Sequence, residues 1–192
     1  MRKKFELALL LLILTAFVAG CATLRYNMAF PEAKGFHPAR IGVLPVDVGP
    51  YADARGKIDE VIVAAIREQR KITRAVNIGA TQEQELREAV NLYLEKMTRL
   101  NYSDPELSRQ IADIAQVDAL IIVTLDFWDY LREGDSKIAK VGLGIKMVNP
   151  LTGRLVWEAR HFTTDKYLIV KPDLSAAAKS LMKKMAGYMP KR

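Results

Sequence analysis

The chain has 192 residues and a formal net charge of +7, a length that suits one domain of ordinary size with additional segments. It contains two histidines and a single cysteine, which disfavours zinc modules and excludes scaffolds held together by internal disulfides. The charged residues are scattered rather than concentrated in a stripe, so we expect no nucleic-acid partner.

The amino-terminal twenty residues have the organisation of a signal peptide. A basic start at residues 2–4 precedes an uncharged, mostly apolar run of fourteen residues at 7–20. This run is short for a bilayer-spanning helix, which needs about 20 residues, and suits the core of a signal peptide. The run ends in Val-Ala-Gly directly before Cys21, and a cysteine in that place resembles the lipobox of bacterial lipoproteins. We therefore predict that Cys21 is acylated with palmitate-type chains and becomes the first residue of the mature protein.

Acylation at Cys21 predicts how the mature protein is located. Two or more acyl chains give stable membrane attachment. Ala22 follows Cys21 instead of an aspartate, which by resemblance to enterobacterial sorting rules favours the outer membrane, with the domain facing the periplasm. Without the leader the net charge falls to about +5, because residues 2–4 contribute +3 and Glu6 contributes −1. This charge is compatible either with anionic partners or with an ordinary solvated surface.

Composition divides the chain into three predicted segments. Residues 1–20 are the lipoprotein signal peptide, residues 21–39 are the acylated cysteine with a periplasmic tether, and residues 40–192 are a single globular domain. The tether is predicted because it contains glycine and proline and has no periodicity. Its aromatic side chains make it less polar than a free linker, so part of it is expected to pack on the domain or on a partner.

The globular part is predicted to follow the order β, α, β, α, α, β, β, β, α. Each predicted helix has one apolar stripe with helical spacing, and Ser103 and Asp104 are the two candidate N-caps of the third helix. The elements before the central strand are predicted at 41–46, 52–69, 75–78, 81–100 and from 103 to the central strand, and the last helix begins near 172.

The clearest pattern lies at residues 117–162 and predicts an antiparallel meander. Residues 119–123 are apolar without interruption, which is typical of a central strand covered on both faces. The next strand alternates, and a turn at Asn149–Gly153 joins it to the third. One predicted face carries Val141, Leu143, Ile145 and Met147, and the other carries Lys140, Gly142, Gly144 and Lys146. We predict an α/β (α+β) two-layer sandwich: a mixed sheet, antiparallel on its carboxyl side, with helices packed on it.

Catalytic motifs are missing from the sequence. His37 and His161 lie in different predicted elements without zinc spacing, and no nucleophile motif is present. We therefore expect no enzyme, no cofactor and no metal. An alternative stays open, since carboxylates follow the central strand and a glycosidase pair or a calcium site also uses carboxylates. They are Asp126, Asp129, Glu133 and Asp135, which are equally typical of a solvated hairpin.

An aromatic group at the end of the central strand is the stronger candidate for function. Phe127, Trp128 and Tyr130 fall within four residues, and three such side chains cannot all face one core layer of a regular strand. We predict that they include contacts for a protein partner, because exposed aromatic side chains are enriched at interfaces. A second small core beneath the hairpin is the alternative.

Several of these segments together resemble a group of bacterial envelope lipoproteins. They are Cys21, the strand IGVLPVDV, the strand VDALIIVTLDFWDY and the meander segment KVGLGIKMVNPLTGRLVWEARH. The group includes the curli-export lipoprotein CsgG, the polysaccharide-export lipoprotein PelC, the penicillin-binding-protein activator LpoB and the amino-terminal domain of TolB. The resemblance covers residues 41–162 and implies a non-enzymatic lipoprotein that works by protein contacts, often as a ring.

One departure from this group limits what the resemblance implies. The curli channel protein builds its pore from long amphipathic hairpins, and tilted membrane strands need about 9–11 residues each. This chain has no such segments beyond its own sheet. The sequence therefore predicts an accessory component of an envelope export or cell-wall machine, with protein partners or copies of itself. The alternative is a periplasmic lipoprotein that binds a ligand or hydrolyses a glycan with the carboxylates at 126–135.

Overall fold

The computed structural model describes residues 24–68 and 74–190. These residues build one six-stranded mixed sheet in the order β1-β6-β5-β4-β2-β3. The strands are β1 (Tyr26–Ala29), β2 (Arg40–Val43), β3 (Arg74–Asn77), β4 (Ala119–Glu133), β5 (Ser136–Asn149) and β6 (Arg154–Tyr167). The helices are α1 (Lys57–Arg67), α2 (Gln84–Leu100), α3 (Pro105–Ala115) and α4 (Leu174–Ala186), and short 3-10 turns lie at Pro31–Ala33, Ala52–Ala54 and Ile78–Ala80.

The predicted meander is present, because β5 pairs antiparallel with both β4 and β6. The turn between β5 and β6 closes where the Gly153 amide donates to the Asn149 carbonyl at 2.9 Å. Gly153 has a φ of +68°, and a Cβ there would lie 2.8 Å from a Pro105 ring carbon. A residue with a side chain would be strained at this φ and would collide with the start of α3, so the predicted turn also positions a helix.

The parallel part of the sheet lies on the other side of β4. Strand β2 pairs in parallel with both β3 and β4, and α1 lies in the connection between β2 and β3. The uninterrupted apolar sequence of β4 follows from its central place, since Leu120, Ile121 and Val123 are almost fully buried on alternating faces. The predicted mixed sheet with a carboxyl-side meander is therefore confirmed.

The described part of the predicted tether packs on the domain, which is one of the two arrangements expected for it. Residues 24–39 are folded onto the domain, because β1 pairs antiparallel with β6. The Trp157 indole donates to Asn27 Oδ1 at 2.7 Å, and the Arg154 guanidinium pairs with the Glu32 carboxylate at 2.7 Å. The sequence concealed this strand because all four residues of β1 are exposed and its partners come from residues more than 120 positions away. The ordered domain thus includes residues 24–39 as well as those from 40 onward.

One face of the sheet carries the larger core, under α1 and α4. Ile58, Ile62 and Ile66 of α1 are fully buried, as are Met182 and Met185 of α4. Beyond this apolar layer, the Glu68 carboxylate forms ion pairs with Lys179, at 2.6 Å, and with Lys183. Helices α1 and α4 therefore pack side by side and contact each other as well as the sheet.

The opposite face carries a smaller core under α2 and α3. Tyr93 and Ile111 are fully buried there against Leu120 and Val148 of the sheet. Asp104 caps α3, as predicted, by accepting the amides of Glu106 and Leu107. The structure thus adds a partial second helical layer to the predicted two-layer sandwich. The sequence did not assign helix stripes to faces, because a stripe shows that a helix is amphipathic without showing which side of the sheet it covers.

Candidate functional site

The predicted lipidation site, Cys21, lies outside the described residues, so the acylation stays a prediction. The described chain begins at Leu24, a buried side chain of the larger core. Within residues 24–68 and 74–190, no helix has both the length and the hydropathy that crossing a bilayer requires.

The three predicted partner-contact aromatics follow a bulge in β4 and are divided between the two faces of the sheet. The pairing register with β5 shifts between Leu125 and Phe127, and an extra residue in one strand changes which side chains face each side. Trp128 is 6% exposed and belongs to the larger core, so it is not available as a contact on this surface. Phe127 and Tyr130 are half-buried and lie on opposite faces of the sheet.

Tyr130 has a structural environment beside α4. Its hydroxyl donates to the Pro172 carbonyl at 2.6 Å, its ring lies edge-on to Tyr167 at 5.9 Å, and the Lys171 ammonium is 4.6 Å from the ring centre. Desolvation by burial, followed by the nearby Asp173 carboxylate, raises the pKa of the Tyr130 phenol. These contacts hold the segment that leads into α4. They resemble the alternative prediction, in which the aromatic side chains form a small core beneath the hairpin.

Phe127 belongs to a surface that helices leave uncovered, and we call this surface the open sheet face. Its ring lies edge-on to Phe162 of β6, with ring centres 6.0 Å apart and planes at 76°. The Lys140 ammonium stands 3.9 Å from the Phe127 ring centre and 5.0 Å from that of Phe162, and the Arg25 guanidinium is 4.9 Å from Phe162. Cations at these distances are attracted to aromatic rings, so the two phenylalanines and two cations form one cluster.

The glycines of β5 make this cluster possible. A Cβ on Gly142 would lie 2.5 Å from Phe127 Cδ2, and one on Gly144 would lie 2.5 Å from the Thr124 hydroxyl oxygen. Both glycines stand on the face opposite Val141 and Leu143, as the sequence pattern predicted. The two glycines lie where side chains of β4 and β6 pack closely against the backbone of β5.

A cavity of about 240 Å³ borders the open sheet face, where the end of α2 passes over β5. Lys146 lies in its wall and donates to Asn101 Oδ1 at 2.8 Å. The rest of the lining mixes Met97 and Ile122 with charged groups that include Arg160 and Glu158. Phe162 and Arg160 were missed as candidates because their place beside Gly142 and Gly144 depends on the β5–β6 register, although the alternation of β5 already indicated a polar face.

The carboxylates named in the alternative hypothesis are spread out by the structure. Asp126 and Asp129 lie along β4, Glu133 ends it and Asp135 is in the hairpin tip. At about 3.3 Å per residue, Asp126 lies roughly 10 Å from Asp129 and roughly 23 Å from Glu133 along the strand, whereas a glycosidase pair is about 5–9.5 Å apart. In the part of the chain that the structure describes, no group of three or more potential metal ligands comes together.

His161 lies in the middle of β6, at the edge of the larger core beside α4. The Arg25 amide donates to its Nδ1 at 3.2 Å, and the Lys184 ammonium lies 2.9 Å from its Nε2. Desolvation by burial lowers the pKa of His161, and the positive charges of Lys184 and Arg25 lower it further. An imidazolium has no free lone pair for either donor, so the geometry favours the neutral ring.

Comparison with known proteins places the fold beside PelC. No family model matches the chain, and no curated protein sequence matches it. The structure is similar to the PelC dodecamer from Paraburkholderia phytofirmans, with 16% identity and a TM-score of 0.54 over 88% of this chain and 98% of that chain. A variant of the same PelC dodecamer gives 13% identity and a TM-score of 0.55 over 88% and 97%.

A hypothetical protein, CT253 from Chlamydia trachomatis, is also similar, with 8% identity and a TM-score of 0.54 over 79% of this chain and 97% of that chain. Identities this low show a shared fold and no more. The predicted resemblance to PelC is therefore confirmed for the fold, while the resemblance to CsgG, LpoB and TolB stays a sequence-based prediction.

Crowding at Gly142 generates a prediction about stability. Gly142→Ala should lower the free energy of unfolding by about 1–3 kcal/mol, because the new methyl group displaces the Phe127 ring. Phe127→Ala removes that obstacle, so the double variant should be more stable than the sum of the single effects by at least about 0.5 kcal/mol. Urea unfolding of the four chains measures the coupling. Gly142→Ala combined with Leu151→Ala is the additive control, and equal coupling in both pairs would contradict this account.

The environment of His161 generates a pH prediction. The folded-state pKa is lowered, so the unfolded chain binds a proton near pH 6.5 that the folded chain does not bind. Stability should therefore fall as the pH drops below about 6.5 and continue to fall down to the folded pKa. His161→Gln should make the decline shallower between about pH 7 and pH 5, as measured by urea unfolding at each pH. An unchanged slope in this variant would show that His161 is not the group responsible.

Proposed function

We propose that this chain is an outer-membrane-anchored lipoprotein of the periplasm that acts as a non-enzymatic component of an envelope export or assembly machine. One observation carries the proposal: a domain with a PelC-like fold follows closely after the predicted lipidated cysteine, and its described part includes Leu24, three residues further along the chain. The predicted leader, the predicted acylated Cys21 and a domain of this fold come in the order that an anchored envelope lipoprotein requires.

The chemistry of the open sheet face supports a role in protein contacts. Two phenylalanine rings, with Lys140 and Arg25 beside them, offer an apolar centre with a cationic rim. Interfaces are enriched in aromatic and arginine side chains in this arrangement. The dispersed carboxylates of β4 provide no comparable support for hydrolysis of a glycan.

Self-association is part of the proposal. The similar PelC structures are dodecamers, and a closed ring needs two different complementary surfaces on each copy. The open sheet face is mainly basic and is the candidate for one of them. The outer side of α2 is the candidate for the other, because it exposes Leu92 and Leu100 together with the acidic Glu88 and Glu95.

The likeness to PelC favours the export branch of the proposal. Among the proteins named in the sequence resemblance, PelC is a polysaccharide-export lipoprotein, and its fold extends over 88% of this chain. We therefore propose that the machine served by this chain exports a polymer, with this chain assembling or supporting the exit apparatus.

Replacing Cys21 tests the anchor. The Cys21→Ser chain should lose incorporation of labelled palmitate and should move from the outer-membrane fraction to the soluble periplasmic fraction, because no other acyl attachment is available. Ala22→Ser is the matched control and should keep both the label and the membrane location. Membrane retention of an unlabelled Cys21→Ser chain would contradict the proposal.

Charge and ring replacements test the contact surface. Cross-linking in intact cells should join the wild-type chain to copies of itself or to an envelope protein, and mass spectrometry identifies the products. Phe127→Ala and Lys140→Glu should each reduce the yield, since truncating a central contact residue commonly costs more than about 1–2 kcal/mol of binding. Leu151→Ala, at the far end of the sheet, should leave the yield unchanged. Recovery of monomer alone from wild-type cells would overturn the role in assembly.

A further inference from the structure

The loop between β6 and α4 exposes three consecutive aliphatic side chains. Leu168, Ile169 and Val170 are 87%, 91% and 82% exposed. Within residues 24–68 and 74–190, no other large hydrophobic side chain is as exposed, and the next is Leu100 at 70%. A run of this kind on a folded surface indicates an interaction site, because water around these side chains is unfavourable.

The loop projects from one end of the sheet, beside the β4–β5 hairpin. Tyr167, the last residue of β6, pairs with Lys137, and the Lys137 ammonium donates to the Leu168 carbonyl at 3.5 Å. The turn that contains Leu151 joins β5 to β6 at the opposite end. With strands of 14 residues and about 3.3 Å per residue, the two ends are roughly 45 Å apart.

The amino terminus of the domain points to the same end as this loop. Strand β1 is antiparallel to β6, with Ala29 opposite Trp157 and Tyr26 opposite Arg160. Followed backward from Tyr26, the chain therefore runs along β6 toward Tyr167. Cys21 precedes the described chain by three residues, which reach at most about 10–11 Å. The predicted lipid anchor thus leaves the domain at the end where the aliphatic loop is exposed.

We propose that Leu168–Val170 inserts into the acyl region of the membrane leaflet that holds the Cys21 lipid. This inference rests on the acylation in the proposed function. Transfer of such side chains from water to an apolar environment is favourable, and no rearrangement of the domain is needed to expose them. The anchor alone attaches the chain at one point and leaves its tilt free, whereas a second contact at the same end holds the sheet upright with the Leu151 turn directed away from the membrane.

The charges around the loop are mixed, which separates this contact from electrostatic adsorption. Lys166 and Lys171 flank it and suit the level of the lipid phosphates. Asp165 and Asp173 lie at similar distances along the chain, so the net local charge is close to zero. Insertion is therefore driven by the burial of apolar side chains and should depend little on the proportion of anionic lipid.

Tryptophan fluorescence tests the insertion in the full-length acylated protein. Ile169→Trp is reconstituted into phosphatidylethanolamine–phosphatidylglycerol vesicles whose acyl chains are brominated, because bromine quenches tryptophan only at close range. The control is Leu151→Trp, which places the same probe at the opposite end of the sheet. The native Trp128 and Trp157 are 6% and 0% exposed and give a constant background. Ile169→Trp should be quenched and blue-shifted, and Leu151→Trp should show neither change.

Two outcomes would overturn the inference. Emission from Ile169→Trp that is as unquenched and red-shifted as that of Leu151→Trp would show that the loop stays in water. A blue shift without quenching that grows with protein concentration would show that a second copy covers the loop. The mass of the mature amino terminus, measured on the same sample, separates this failure from that of the proposed function. An unacylated Cys21 would remove both, whereas an acylated chain with an unquenched probe would remove only the insertion.

Discussion

The unequal covering of the two faces of one sheet is the constraint on which the rest of this structure depends. Helices α1 and α4 cover one face broadly, while α2 and α3 cover only the part near the start of β4 and the end of β5. The remaining part of the second face has to be stable in water. It achieves this with glycines, threonine and charged side chains on β5 and its neighbours, and with the Phe127 and Phe162 side chains packed against Gly142.

That constraint explains why the surface offered to partners is made of strand residues. A regular strand presents every second side chain to the same face, and on β5 the residues opposite the core are lysines and glycines. The bulge in β4 then decides which aromatic side chain reaches this face, since it places Phe127 beside Gly142 and keeps Trp128 in the core. The pairing register of β4 with β5 therefore determines both the core packing and the composition of the candidate site.

The two ends of the sheet have different roles in the proposed arrangement. Strand β1 brings the amino terminus to the end that also carries the Leu168–Val170 loop, and the β5–β6 turn lies far from both. Because β1 is held in the sheet by hydrogen bonds and by the Asn27–Trp157 contact, the proposed lipid anchor would be joined to a strand of the sheet instead of a long linker. In the proposed arrangement, the domain would have a defined orientation and would present the open sheet face sideways to neighbouring molecules.

The sequence by itself determined the elements whose causes are local. The apolar run of β4, the alternation of β5, the Asn149–Gly153 turn and the cap at Asp104 all depend on neighbours within a few residues. The sequence therefore predicted the meander and the helices correctly. Tertiary structure alone decided the features that depend on distant partners. These are the inclusion of β1 in the sheet, the division of helices between two faces, the burial of Trp128 and the meeting of Phe127, Lys140 and Phe162. Each of them depends on how segments far apart in the chain pair or pack against each other. Composition and periodicity do not specify these long-range contacts.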